Sequence, residues 1–495
     1  MTDSERDRRI YLGLWITIAI VLSVPVWLTS IPPLSDLHNH LTRLHIVQHY
    51  GDIASYRARY DLNWGPHPNL ALDLVGWPLI RVFGLTLTAK IFLTLTILVW
   101  HYGCHRLGRA IYGRNTWRAL ICSFFVYNQQ FLLGYVNFAF GIGLFLIVLA
   151  LWLEHRDRWT AVWVTLCTLL GLATFLAHLS AFASLAVAVA AMTVARFVAT
   201  KKITRDLVLG VIPLLPGTVI FFYGFLSKTG KGSEIQFGGI GQNLREGLTL
   251  LTGYHRLFDY ACAAIVVALA AFVLLRRTSL RLHREVLVAG LALGVAYWAC
   301  PTEVAGGIEV NFRFAIGAFT LVAFALDVSL SAWTRKAVFV AVIALFTLRI
   351  GVITSNWLRL DRKLGEQTTA WNSIEKGSRV YNIFFYPKEV PSNSERVEAL
   401  ALLHAICMAA IDREAYLPTL YGFPSQQPIV HHQVPPYTWH RFGIKNSPPI
   451  RWDEIFGHYD YVWTCNPIPD QIAPMKERAK LTSEGGGCQL YRLSE

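Results

Sequence analysis

The chain has 495 residues, 54% of them hydrophobic and 16% charged, and its mean hydropathy is +0.40. A composition this apolar excludes a disordered chain and points to a polytopic membrane protein. The formal charge of +13 does not signal a nucleic-acid partner: residues 356–495 hold 15 Lys and Arg against 15 Asp and Glu, so the whole excess lies in the apolar part, where the positive-inside rule accounts for it.

Apolar windows long enough to cross a bilayer predict about eleven spans, near residues 10–31, 83–102, 119–127, 136–153, 160–177, 179–197, 206–226, 258–275, 285–300, 313–332 and 337–355. The first has no small-residue cleavage site after it and reads as a retained helix rather than a signal peptide. With the N-terminus in the cytoplasm, the inner connections collect 19 Lys and Arg and the longer outer ones only nine. The expected topology is therefore multi-pass in a bacterial inner membrane, N-terminus inside and C-terminus outside.

The first outer loop, residues 32–82, opens with "PPLSDLHNHLTRLHIVQHYGD". Pro32 and Pro33 end the first span, and Ser35 or Asp36 is suited to cap a new helix. At 100° per residue, His38, Thr42, His45 and His49 share one side of that helix, with Leu37, Leu41 and Leu44 on another. Three readings stand open: an interfacial helix whose histidines face headgroups, a metal site formed by His38, His45 and His49, or a site built on Asp36. The metal reading lacks a second carboxylate or cysteine at ligand spacing.

Further along, "LICSFFVYNQQ" is too short to cross alone, which predicts either a broken helix ending at Asn128, Gln129 and Gln130 beside a cavity, or a tight outer turn. His178 is the one histidine or charged residue between Trp159 and Arg196, and it suits either a functional role or a helix cap. The loop 227–243 carries Lys228 and Lys231 among glycines without a P-loop pattern, so a pocket gate and a plain surface loop both fit. Arg313, after the Gly pair of "EVAGGIEVNFRF", is suited to an anionic ligand or to anchoring at the interface.

After Ile353 the apolar periodicity stops. Residues 356–495 are expected to form a small extracytoplasmic α/β domain after a transmembrane domain of residues 1–355. Its strand-like pieces are "SRVYNIFFYP", "YDYVWTC" and "CQLYRL", its helix "SERVEALALLHAICMAAIDRE", and its Pro-rich loop runs from Pro424 to Pro449. In that loop "VHHQVPPYTWH" has aromatic and histidine side chains that suit ring stacking, and a plain Pro-rich surface loop fits as well. Spacing alone leaves a bridge between Cys465 and Cys488 open.

The order of an apolar first helix, an acid opening an outer-face helix, many further spans and a C-terminal outer domain resembles the GT-C superfamily of polytopic membrane glycosyltransferases. The residues that carry the resemblance are "PPLSDLHNHLTRL" at 32–44, "YNQQFLLGYVNFAFGIGLFL" at 127–146 and the "YDYVWTC" and "CQLYRL" ending. It implies an α-helical polytopic fold with a small C-terminal α/β domain, and an enzyme that takes a sugar from a polyprenyl-phosphate donor to a glycan, lipid or protein acceptor. It also implies a first-loop acid acting on the acceptor or holding a divalent metal; Asp36 is the matching position, followed by Leu and His where the paired-acid version has a second carboxylate. On this reading Asp36 is the general base, His38 and His178 orienting groups, and Arg43, Arg313, His40, Asn128 and Gln129 substrate-binding residues, with no metal ligand assigned. The rivals are a transporter or flippase of lipid-linked glycans, against which the lack of an internal repeat speaks, and a membrane-anchored sensor or assembly protein.

The charge asymmetry makes the orientation testable. A reporter fused after Glu495 should be active only on the outer side of the membrane; cytoplasmic activity would invert the expected topology.

Overall fold

The structure is a computed structural model that describes residues 3–227, 235–275, 280–304, 307–328, 331–385, 393–422, 424, 426–432, 440–442 and 450–494. Lys228, Lys231 and Trp439, with most of the Pro-rich loop, lie outside the described residues. Two compact units share the chain: residues 1–24, 93–131 and 136–352 form one, and residues 25–92, 132–135 and 353–495 the other.

Helix occupies each of the eleven apolar windows. Among the described residues six helices are long and apolar enough to cross a membrane: Glu5–Leu28, Ala71–Tyr112, Val136–His155, Leu179–Thr200, Arg205–Gly224 and Ala332–Trp371. Two shorter apolar helices are Ala161–Ala177 and Arg313–Ala325. Two of the long ones overrun their windows. Ala71–Tyr112 continues through Gly84, whose positive φ of 70° marks a kink, and Ala332–Trp371 runs on past the point where the apolar pattern ends. Between Trp117 and Leu132 the chain is a broken helix: Trp117–Ser123, a 3-10 turn at Phe124–Val126, and the short turn Gln129–Leu132.

In the first unit, glycines let helices approach closely, as small residues do in lipid. A Cβ on Gly103 would come within 2.8 Å of the Gly143 carbonyl oxygen, and one on Gly143 within 2.8 Å of the Trp100 nitrogen. Between Arg284–Ala299 and Phe312–Ala325, Gly290 serves in the same way: a Cβ there would stand 3.1 Å from the Val322 nitrogen.

The second unit holds a five-stranded mixed sheet in the order Ala479–Gly485, Cys488–Leu493, Tyr461–Cys465, Val380–Phe385, His440–Phe442. Val380–Phe385 runs parallel to both its neighbours, and the other pairings are antiparallel. Cys465 and Cys488 face each other in register and form a disulfide. One face of the sheet buries Tyr381, Ile383, Phe385, Val462 and Tyr491 against Trp452, Ile455, Ile472 and Met475. The long helix expected over "SERVEALALLHAICMAAIDRE" is instead three short pieces, Asn393–Leu400, Ala405–Met408 and Ala409–Asp412. Its apolar residues serve more than one surface, so no single stripe holds it in one helix.

The helix Ser35–His49 corrects two expectations. Leu34, in an extended conformation, precedes it without a side-chain cap, so Ser35 and Asp36 lie in its first turn. It is also no surface helix: His38, Asn39, His40, Thr42 and Arg43 are buried along with its leucines. The lower half packs Ile46 and Val47 with Tyr56, Tyr60, Cys407, Tyr416, Leu420 and Ile429. Arg43, expected to meet a phosphate, is fully buried and forked onto Asp73, its Nε donating to Oδ1 at 2.9 Å and its Nη2 to Oδ2. A guanidinium taken out of water holds its place only with such a partner.

That pair predicts an asymmetric cost. Asp73→Asn strands a buried cation and should destabilise the protein by about 3–5 kcal/mol, read as a lower thermal midpoint in detergent. Arg43→Met with Asp73→Leu should recover part of the loss; full stability of Asp73→Asn alone would mean that the pair is not buried.

Candidate active site

Asp36 sits where three segments of the second unit meet. Its backbone N–H donates to the Leu133 carbonyl at 3.2 Å. The chain can come this close because residue 134 is glycine, with φ +92°. A Cβ there would stand 2.5 Å from the Asp36 nitrogen. Asn39, one turn on, reads both sides of a distant strand-like segment: its Nδ2 donates to the Thr419 carbonyl at 3.0 Å and its Oδ1 accepts from the Tyr421 N–H at 2.9 Å. The segment is thereby clamped along the helix, and the Tyr421 side chain is brought to the carboxylate.

The Tyr421 hydroxyl lies 3.0 Å from Asp36 Oδ1 and 2.9 Å from His404 Nε2, while His404 Nε2 and Asp36 Oδ1 are 3.7 Å apart. A phenol has one proton to give. With the hydroxyl donating to the carboxylate, His404 donates its Nε2–H to the Tyr421 oxygen, which fixes the imidazole tautomer. The order His404, Tyr421, Asp36 is a chain of donors that ends on an anion, and each bond polarises the next. His404 is sealed at 1% exposure and the Asp36 side chain keeps 16%, so the carboxylate is the member that solvent or a substrate reaches.

Around this chain His38 and His40 are held neutral. Burial draws the pKa of His38 down to about 4, only partly opposed by the Leu34 and Ser35 carbonyls and Asp361. Burial, with Arg43 and His404 adding repulsion, draws His40 well below the ordinary imidazole range. The His40 ring meets Tyr421 edge-on, 6.3 Å between centroids. His45 and His49 stack on each other at 4.4 Å farther along. Among the described residues no group of three or more His, Cys, Asp and Glu stands together as a metal site. Asp36 and His404 alone fall short of the donor count a divalent ion takes, and no step here runs through a metal.

The other expected residues belong to the first unit. His178 caps the helix Leu179–Thr200, its Nδ1 accepting from the Ser180 N–H at 3.0 Å, with the Phe138 ring edge-on at 5.3 Å. Asn128 caps the turn that follows it: its Oδ1 accepts from Gln130 N–H at 3.0 Å and Phe131 N–H at 3.1 Å. The Gln129 N–H donates to the Leu250 carbonyl at 3.1 Å, and the side-chain amides of Gln129 and Gln130 are buried without a protein partner. Arg313 Nη2 donates to the Ile308 carbonyl at 3.1 Å. Arg349, inside the helix Ala332–Trp371, is 1% exposed, donates to the Leu251 carbonyl at 2.6 Å and leaves Nε and Nη1 unmatched by protein. A buried guanidinium in an apolar helix is costly unless something answers it.

Sequence reasoning did not select His404, Tyr421 or Asn39. His404 reads as a lone histidine in an apolar run and Tyr421 as a loop aromatic. The one local signal was Asn39 beside Asp36 on a helix otherwise rich in histidine.

Over nearly its whole length the chain shares its fold with solved structures. In particular it is similar to the apo structure of ArnT from Cupriavidus metallidurans, with a TM-score of 0.54 at 12% identity over 99% of this chain and 98% of that one. It is also similar to the same protein bound to undecaprenyl phosphate, with a TM-score of 0.51 at 13% identity over 97% of each chain. No family model and no curated protein matches the sequence.

The close approach at Gly134 can be checked directly. Gly134→Ala adds a Cβ against the Asp36 nitrogen at a positive φ and should lower the thermal midpoint. Gly365→Ala, in a helix with nothing within 4 Å of the new carbon, should hold or raise it. Equal midpoints for the two variants would contradict the packing of Gly134 on Asp36.

Proposed function

We propose that the protein is a membrane glycosyltransferase that moves a sugar from a polyprenyl-phosphate carrier to an acceptor hydroxyl at the outer face of the membrane, with Asp36 as general base. The observation that carries this is the part-exposed Asp36 carboxylate at the end of the His404–Tyr421 donor chain. Two donors in series hold the carboxylate in one orientation before an acceptor arrives. The GT-C fold, and a neighbour of that fold bound to undecaprenyl phosphate, support a lipid-linked donor.

In the proposed reaction the Asp36 carboxylate takes the acceptor's hydroxyl proton as the acceptor oxygen bonds to the anomeric carbon. The bond from that carbon to the phosphate oxygen breaks, and the carrier leaves as polyprenyl phosphate. The acid then loses its proton to water. Tyr421 and His404 are positioning residues that act through Asp36. Their neutral surroundings, with His38 and His40 uncharged at pH 7, keep other cations from pairing with the carboxylate. Within the first unit, Arg313, Asn128 and Gln129 are the proposed donor contacts, with Arg313 for a phosphate. Membrane lipid surrounds the helices, and no nucleic acid takes part.

Asp36→Asn keeps the size and most of the hydrogen bonding but removes the basic oxygen. It should lower transfer from polyprenyl-phosphate sugars by about 10²–10⁴-fold while leaving the thermal midpoint close to wild type. Tyr421→Phe should fall between the two, and Asp52→Asn, 78% exposed at the far end of the helix, should match wild type. The assay is loss of lipid-linked donor in nanodiscs. Full activity of Asp36→Asn removes the base assignment, and no donor consumption by any variant across a broad panel favours a transporter or sensor.

A further inference from the structure

The first unit contains a cavity of about 410 Å³ that lies away from every residue given a role above. Its lining includes Arg114, Arg118, Arg281 and Arg335 against a single carboxylate, Asp327. Its floor is the two-stranded ribbon of Leu280–Leu282 with Leu326–Val328, in which Arg281 and Asp327 are register partners. One wall is the end of the helix Ala71–Tyr112, which Gly113 closes at φ +66°, with the Tyr112 hydroxyl donating to the Phe324 carbonyl at 2.6 Å. Arg118 is committed: its Nη2 meets Asp327 Oδ1 at 2.9 Å, and its guanidinium lies over the Tyr112 and Trp117 rings at 5.1 and 5.0 Å.

Arg114, Arg281 and Arg335 are exposed and have no ion-pair partner among the described residues. The cavity therefore carries a surplus of three positive charges on a rigid, concave support. Arginine is the residue suited to a phosphate, because its planar fork donates two hydrogen bonds at once. Two observations favour a lipid over a soluble anion. All four arginines come from connections on the side expected to face the cytoplasm, where anionic lipid is drawn to basic groups. Beside Arg335, Trp333 is 79% exposed at the start of an apolar helix, the position in which tryptophan marks headgroup level.

We propose that this cavity binds the phosphate of an anionic phospholipid headgroup from the leaflet expected to face the cytoplasm. The site is independent of the sugar-transfer reading. Bound lipid would tie the ends of the helices Ala71–Tyr112 and Ala332–Trp371 to the ribbon, so its effect is read first as stability.

The experiment titrates the full-length protein in detergent with dioleoyl phosphatidylglycerol, dioleoyl phosphatidylcholine or sodium phosphate, following the thermal midpoint and lipid retention by native mass spectrometry. Phosphatidylglycerol should be retained and should raise the midpoint, and phosphatidylcholine should do neither. The double variant Arg114→Gln with Arg335→Gln should melt like wild type without lipid and bind phosphatidylglycerol about thirtyfold more weakly. Lys201→Gln with Lys202→Gln removes the same charge from another exposed connection with no part in the cavity lining, and should bind nearly as wild type. Equal losses in the two double variants would show a diffuse basic face and overturn the site. Equal stabilisation by free phosphate and by phosphatidylglycerol would overturn the lipid assignment, and retention of phosphatidylcholine as strong as phosphatidylglycerol would overturn both.

Discussion

Asn39 holds the candidate site together. Its amide spends the donor on Thr419 and the acceptor on Tyr421, as a neighbouring strand would, and so fixes a segment with no regular pairing of its own. Without that clamp the Tyr421 hydroxyl has no reason to lie at the Asp36 carboxylate, and His404 loses the oxygen to which it donates. The clamp works only because the helix is buried, since an exposed amide would exchange these bonds for water at little net cost.

Burial of a polar helix sets the remaining terms. Arg43 is paired to Asp73, His38 and His40 are neutral, and the Asp36 carboxylate accepts from Tyr421 and stays part-exposed. An oriented, reachable carboxylate is what the proposed general base requires. In the first unit, Arg349 Nε and Nη1 and the Gln129 and Gln130 side-chain amides are buried with no hydrogen-bond partner among the described residues.

The membrane-side architecture shows how far composition reaches. Helix occurs in every apolar window, and the break after Trp117 follows from a run too short to span and ending in three amides. The extension of Ala332–Trp371 beyond its apolar stretch was not legible, because the added turns are polar and are held by packing: residues 363 and 366 lie against Gly485 and Gly486 of the sheet hairpin. Propensity alone does not tell such a polar helix from a linker.

By itself the sequence determined where the apolar helices lie, the strands at Val380–Phe385, Tyr461–Cys465 and Cys488–Leu493, and Asp36 as an acid in the first turn of the helix that follows the first apolar one. These depend on apolar run length, on alternation and on position after a span, all of which are local quantities. Tertiary structure alone decided that the histidine-bearing helix is interior, that Arg43 is spent on Asp73, and that Tyr421 and His404 complete the site. Helical periodicity states which residues share a face but not whether that face is covered, and the bond from Tyr421 to Asp36 spans 385 positions that leave no trace in local pattern.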